Sequence, residues 1–474
     1  MYRRSVVALI IASAFLTVEP KAQCAIQFTS LFSFNGTNGA VPEATLIQAA
    51  DGYLYGTTIG GGTNGVSYGG DGTVFRISTN GEFHTMAFLD RASAANPQAG
   101  LIQASDGNLY GTALFGGPRD WGATFAVTPG GSLSIVASFL WPELEYANGL
   151  MQGTDGLLYG TGYYGGTNGG YGSIVSINTN GIVAILASFG QTNGSHPQAS
   201  LVRDSQGNFY GTTVDGGSEG GWGTVFQFTP DGRLLTLVSF NGTNGANPMC
   251  QLHLEPDGSL YGITLAGGLG FIGTPSSGNG TIFKVTPARE LVTLHYFAGF
   301  PDDAAQSSFS GLCRGSDGRF YGTSQSGGVN GSGTIFAVNS DGAVDLLYSF
   351  SRADYSTGTN LDGYYPSAGV VQASDGNFYG VTMNGGLHGM GSIFRFTLLP
   401  DPPLFKNISV LGGKLSFSWT ALQGARYQLQ HSKDLASTNW LDLGSPIMAT
   451  GPLGTASDSI ASDPQRFYRI VLLQ

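Results

Sequence analysis

The sequence predicts an all-β protein: a seven-bladed β-propeller closed by an N-terminal strand, followed by a small C-terminal β-sandwich. Three observations predict it. A phrase of the form Asp-Gly-x-Leu/Phe-Tyr-Gly recurs seven times, once with Gln206 in place of the aspartate, with its tyrosines at Tyr55, Tyr110, Tyr159, Tyr210, Tyr261, Tyr321 and Tyr379. A period this long marks an array in which one unit cannot bury its apolar face alone. Each repeat holds four short runs rich in Val, Ile, Thr, Tyr and Phe, bounded by Gly, Asn, Asp and Pro. The last repeat lacks its fourth run, and a matching orphan run stands near the N-terminus.

The second repeat shows the four runs at residues 100–103, 108–112, 122–127 and 133–139. Close spacing favours antiparallel hairpins, and four strands per radial unit make a propeller blade. The seventh repeat has runs at 369–372, 377–382 and 391–396, then enters Leu399-Pro400-Asp401-Pro402-Pro403. Within the run at residues 29–39, residues 31–39 match residues 237–245, a fourth run, almost letter for letter. The spacing therefore predicts that residues 26–34 pair with the third strand of the last blade, which removes an exposed sheet edge. The recurrent tyrosines are expected in the core. The expected domains are a leader at 1–24, the propeller at 25–398, a linker at 399–403 and the sandwich at 404–474.

The order Leu-Ile-Gln-x-x-Asp-Gly-x-Leu-Tyr-Gly-Thr-Thr, a Gly-Gly loop, Gly-Thr-Val-Phe and Ser-Phe-x-Gly resembles the GloVer tandem repeats over residues 26–397. Those repeats occur in secreted bacterial proteins, some of which end in interchangeable surface-anchoring segments. The resemblance implies an extracellular propeller and no defined catalytic activity, so it assigns no site residues.

Glycine supplies 76 of the 474 residues. It has no three-residue period, which excludes a collagen-like chain and points to many tight turns. Arg3 and Arg4, an apolar run from residue 6 to 18, and Ala22-Gln23-Cys24 read as a secretory leader cleaved after Cys24. Its removal leaves 17 basic and 30 acidic side chains of the original 20 and 31, a net charge of −13. Such a surface argues against nucleic acid or anionic membrane as partners. No later stretch has the roughly 20 apolar residues of a membrane helix. Cys250 and Cys313 are read as buried thiols.

The hairpins joining strands one–two and three–four are short and monotonous, as in Ala104-Ser105-Asp106-Gly107, where glycine supplies the positive φ. The two–three loops and the connections between blades vary. They include residues 60–71, 115–121, 163–171, 215–222, 141–146 and 354–365. Variety confined to one face of a repeat array suits a binding face on a rigid scaffold.

Trp121, Tyr171 and Trp222 each precede the glycine that opens a third strand, with Tyr163, Tyr164, Phe115 and Trp141 nearby. Aromatic rings beside Asp120, Asp215 and Glu219 suit sugars, whose C–H faces stack while their hydroxyls take hydrogen bonds. A repeated position equally suits packing of blade on blade. Asp120, Glu143, Glu145, Asp215 and Glu219 could supply a glycosidase pair, although loop carboxylates on an acidic chain are more often solvated. The six histidines show no metal-binding spacing, and His253 is read as a satisfied channel residue. No cofactor is expected, and the Asp/Asn-rich loops leave room for a structural calcium.

After the linker, glycine thins and alternation sharpens, as in Leu415-Ser416-Phe417-Ser418-Trp419 and Arg426-Tyr427-Gln428-Leu429-Gln430. Short alternating strands suggest a sandwich, and the placement of Trp419 and Tyr427 resembles a shortened fibronectin type III domain. The expected protein is a secreted or cell-surface monomer that binds an extracellular glycan without catalysis. The alternatives are a glycan-cleaving hydrolase or lyase and a protein-binding scaffold.

Overall fold

The computed structural model describes residues 5–8, 26–62, 70–274, 277–299, 304–307, 311–354, 356–399, 403–411, 414–421, 425–434, 439–459 and 466–473. The chain forms two compact units, residues 26–397 and residues 398–474 together with 1–25. No helix occurs among the described residues, and none is long and apolar enough to cross a membrane.

The larger unit is a β-propeller built from antiparallel sheets, one per repeat. In the first, Ile47–Gln48, Leu54–Thr58, Thr73–Ile77 and Phe83–Phe88 pair in chain order. In the last, Val371–Gln372, Phe378–Thr382 and Ser392–Leu398 are joined at the outer edge by Ile26–Ser33, as the missing fourth run required. The third and sixth sheets each gain a short strand, Glu145–Ala147 and Ala304–Ser307, on the strand that carries the repeat tyrosine. Second and third strands are buried nearly throughout, which accounts for their unbroken apolar character. A register shift recurs between third and fourth strands, as at Val74/Phe75 and Val225/Phe226. Such a bulge adds local twist.

The Asp-Gly phrase holds its hairpin through side chains. Tyr55 Oη donates to Asp51 Oδ2 at 2.7 Å, and the same bond joins Tyr110 to Asp106, Tyr159 to Asp155, Tyr321 to Asp317 and Tyr379 to Asp375. Where Gln206 replaces the aspartate, Asp204 takes the Tyr210 hydroxyl at 3.0 Å. Tyr55, Tyr110, Tyr261, Tyr321 and Tyr379 are buried, whereas Tyr159 and Tyr210 are half-buried. Burial, then the neighbouring carboxylate, pushes Tyr159, Tyr210 and Tyr379 up to about 12. The closing glycine has a steric reason. A Cβ on Gly56 would fall 2.6 Å from Phe75 Cζ, and one on Gly111 2.5 Å from Phe125 Cζ.

Two devices join neighbouring sheets. Phenylalanines of fourth strands meet those of the next third strand edge-on, as in Phe189–Phe226, Phe240–Phe283 and Phe297–Phe336. Phe34–Phe75 makes the same contact between the last sheet and the first, at 5.3 Å. The second device is a glutamine ending the first strand. Gln103 Oε1 accepts the Ala50 N–H at 2.8 Å while its Nε2 donates to the Gly107 carbonyl of its own turn. Gln152 and Gln372 repeat this toward Ser105 and Ser316. Gln48 accepts the Ser374 N–H at 2.7 Å and so ties the first sheet to the last. At the fifth repeat Pro256 offers no N–H, and Arg314 instead lies 3.6 Å from Glu255.

The smaller unit holds two sheets around one core. Phe405–Leu411, Lys414–Thr420 and Leu453–Ser459 form the first. Phe467–Leu473, Arg426–Ser432 and Leu441–Asp442 form the second, with Ile447–Met448 also on Arg426–Ser432. Phe417 and Trp419 of one pack with Tyr427, Leu429, Tyr468 and Ile470 of the other. Ser5–Ala8, part of the expected leader, lies antiparallel to Phe467–Leu473, with Ser5 opposite Val471. The rest of 1–24, with Cys24, lies outside the described residues, as do 63–69 of the first variable loop and 400–402 of the linker. Cys250 is buried and Cys313 half-buried, both as free thiols.

Candidate functional site

The variable loops and the connections between sheets meet at one end of the repeats, and backbone groups join them. Single bridges pair Ala40 with Gly60, Ala95 with Phe115, Ser195 with Asp215, Ala246 with Ala266, and Tyr364 with Asn384. The residue after each bridge is left-handed: Val41, Asn96, His196, Asn247 and Tyr365 have φ of 53–59°, and Tyr146 adopts 55° in the third repeat. This conformation costs roughly 1–3 kcal/mol for a non-glycine residue. A backbone bond to the preceding repeat holds it. His196 N–H donates to the Tyr171 carbonyl, Asn247 N–H to Trp222, and Tyr365 N–H to Ser332. The position that carries Tyr171 and Trp222 thus has a backbone role that leaves its side chain free to vary.

A continuous tract of side chains crosses this end over repeats two to four. The Arg91 guanidinium lies 4.5 Å from the Phe115 ring centre, and its Nε donates to Asp120 Oδ2 at 3.1 Å. Phe115 meets Tyr146 at 5.9 Å, Tyr146 meets Tyr164 at 5.9 Å, and Tyr164 meets Tyr163 at 4.8 Å. Tyr163 stacks on His196 at 4.7 Å, with Tyr164 edge-on to the same imidazole. His196 Nδ1 is 3.1 Å from Asp215 Oδ2, and Asn247 Nδ2 is 3.4 Å from Asp215 Oδ1. Tyr164 is 38% exposed, and the neighbouring connection presents Trp141 at 51%. The Gly116 amide, with Arg91, holds the Asp120 carboxyl below the usual carboxylate range, and burial pushes the Tyr163 phenol up.

Of the residues singled out in sequence, Tyr163, Tyr164, Asp120 and Asp215 lie in this tract. Tyr171 is half-buried at its margin, 6.2 Å from His196. Trp222 stands apart, edge-on to Phe271 at 5.0 Å and packed on a core of the fourth and fifth repeats. Trp121 is half-buried and Glu219 is exposed, and among the described residues no hydrogen bond or ring contact is found between either and the tract. Sequence reasoning missed Arg91, Tyr146 and His196 as site residues. A residue before proline recurs at Val41, Asn96, His196, Asn247 and Tyr365, which marks the place of His196 in its repeat but not its ring contact, and Arg91 and Tyr146 carry no such mark. His253 Nε2 is bonded to Glu255 at 3.0 Å, in keeping with a satisfied side chain. Among the described residues no three His, Cys, Asp or Glu side chains gather to hold a metal.

A second feature lies where the first strands of repeats one to five converge. A cavity of about 420 Å³ is lined by residues that follow the left-handed positions, among them Glu43, Gln98, Asn148, Gln198, Met249 and Gln251. Burial pushes the Glu43 carboxyl up to about 6. The sequence reading passed over this ring, because Glu, Gln, Asn and Met share no recurring letter.

Comparison with known proteins follows from this geometry. A polysaccharide lyase, ulvan lyase, is similar at 10% identity over 83% of this chain and 93% of its own, with a TM-score of 0.44. The β-propeller domain of the Trilobed protease from Pyrococcus furiosus is similar at 10% identity over 76% and 96%, with a TM-score of 0.43. A gluconolactonase from Xanthomonas campestris is similar at 14% identity over 63% and 85%, with a TM-score of 0.37. The architecture rests on the strand pairing rather than on these likenesses. The curated proteins contain no match. The model of the Gloeobacter/Verrucomicrobia repeat matches in tandem at residues 18–169, 104–299, 146–358 and 272–409. With those matches covering most of its length, the chain belongs to the Gloeobacter/Verrucomicrobia repeat family.

Proposed function

We propose that this chain is a secreted or cell-surface seven-bladed propeller that binds an extracellular glycan without cleaving it. The tract from Phe115 through Tyr146, Tyr164 and Tyr163 to His196 carries the reading. It offers partly exposed ring faces, with Asp120, Asp215 and Asn247 beside them as hydrogen-bonding groups. Sugar C–H faces stack on such rings, and hydroxyls take the polar partners. Asp120 and Asp215 are each engaged, with Arg91 and with His196. The basic and apolar residues of 1–24 support secretion, and the two-sheet C-terminal unit supports a fibronectin type III-like module.

The test is a glycan array probed with the mature chain and with Tyr164→Ala. The native chain should select a glycan, and the variant should bind it about 1–3 kcal/mol more weakly, as for truncated aromatic anchors. Its melting temperature should barely change. Release of new reducing ends or unsaturated sugars would instead mark the hydrolase or lyase reading. Failure of the native chain to select any glycan would leave the protein-binding scaffold.

A further inference from the structure

The cavity among the first strands has a chemistry of its own, independent of the aromatic tract. Its wall comes from one segment of five successive repeats. At equivalent places stand Glu43, Gln98, Gln198 and Met249, each directly after a proline, with Asn148 in the third repeat. Four of these are neutral and one is a carboxyl. Among the described residues lining the cavity, Glu43 is the one ionisable side chain.

Its surroundings leave that carboxyl uncompensated. Thr45, Ser200 and Gln251 add hydroxyl and amide groups, while Ile47, Leu101 and Leu150 add apolar surface. Among the described residues no lysine, arginine or histidine lines the space. No hydrogen bond or ion pair involving Glu43 is found among the described residues, and burial alone accounts for its raised pKa. A half-buried carboxylate without a cation is costly, and buried charges are ordinarily paired. The volume of about 420 Å³ falls within the range of small-molecule pockets.

We infer that this cavity binds a small organic cation carrying one protonated amine, with Glu43 as its counter-charge and the amides of Gln98, Gln198 and Gln251 as its polar frame. One positive charge matches one carboxylate. The mixed wall of amides, hydroxyls and aliphatic groups fits an organic body. A divalent metal would find one carboxylate and otherwise neutral donors. A neutral polyol would leave Glu43 without its counter-charge.

Binding requires the ionised carboxylate, so it is linked to pH. With Glu43 near 6 in the empty protein, the ionised fraction and hence the affinity should fall about tenfold from pH 7 to pH 5. Isothermal titration of the full chain with ethanolamine, glucosamine, glucose and calcium chloride tests this. Ethanolamine or glucosamine should bind at pH 7 and weaken about tenfold at pH 5. Glu43→Gln should remove that binding, and Glu43→Asp should keep part of it. The melting curve of each variant would establish that it is folded. Glucose or calcium binding as well as the amines, amine binding unchanged in Glu43→Gln, or no amine binding at either pH would each overturn the inference. The Tyr164→Ala variant should retain amine binding, so failure here is distinguishable from failure of the glycan reading.

Discussion

The two ends of the propeller sheets come from the same repeat and are held together by opposite means. At the Asp-Gly end, side chains make the joints. Tyrosine hydroxyls reach aspartates, glutamines clasp the next turn, and phenylalanines fill the space over glycines. At the loop end, backbone groups make them, through single bridges and through N–H bonds from residues at positive φ. A joint made by a side chain demands the same letter in each repeat, whereas a joint made by the backbone leaves the letter free. This difference explains why one end repeats its sequence and the other does not.

The exceptions follow the same rule. When Gln206 removes an aspartate, the tyrosine turns to Asp204. When Pro256 removes an N–H, an arginine and Glu255 replace the glutamine clasp. The loop end needs no such compensation when Val41, Asn96, His196 and Tyr365 exchange at one position, because each keeps the backbone geometry.

The largest expected effect lies at the side-chain end. Tyr379 is fully buried and bonded to Asp375 at 2.7 Å. Tyr379→Ala should cost about 3–5 kcal/mol in urea denaturation. Tyr379→Phe should cost about 1 kcal/mol, the net value of one hydrogen bond. Equal losses from Tyr164→Ala at the loop end would break the comparison.

Carboxylates at the two ends should respond to pH with opposite signs. Against the raising effect of burial, Tyr379, Asn377 and the Asn377 amide hold Asp375 below its usual 3.8. Its contribution is therefore present above that value and lost as pH falls through the folded-state constant. Glu43, at the start of the loop-end wall, has no donor among the described residues and is raised by burial from 4.5 to about 6. Its ionisation should cost stability progressively as pH rises between those values. Glu43→Gln should therefore match the native chain at pH 4 and exceed it by about 2 kcal/mol at pH 7. Melts that showed no pH-dependent difference would remove the buried-carboxylate account.

The smallest effect concerns one clasp. Gln103→Leu removes the acceptor of the Ala50 N–H and the donor to Gly107. It should cost about 0.5–1.5 kcal/mol. The Leu254 of the fifth repeat already lacks the clasp naturally, so the same change there has no counterpart to lose. A loss several times larger would mean that the clasp governs ring closure rather than adding to it.

This division also explains what could be read in the sequence. The Asp-Gly phrase and the orphan strand at 26–34 were legible because side-chain joints repeat their letters. Tyr163, Tyr164, Asp120 and Asp215 were legible as unusual residues in varied loops. His196 was not, because its ring stacks on Tyr163 from the neighbouring repeat and no local pattern announces that contact. Trp121 and Trp222 drew notice through their shared position. At Trp222 that position is set by a backbone carbonyl, which accepts the Asn247 N–H, while its ring pairs with Phe271 away from the tract. Glu43 escaped notice because only the convergence of five repeats makes it part of a cavity.

Hydrogen exchange of the mature chain with and without the glycan selected on the array tests the central claim most directly. The account predicts added protection confined to the loop end, at residues 141–147, 163–171 and 193–196, with none at the Asp-Gly hairpins such as 104–108 and 373–377. Protection centred on the Asp-Gly hairpins, or absent from all three loop segments while glycan is bound, would contradict the assignment of structure to one end and binding to the other.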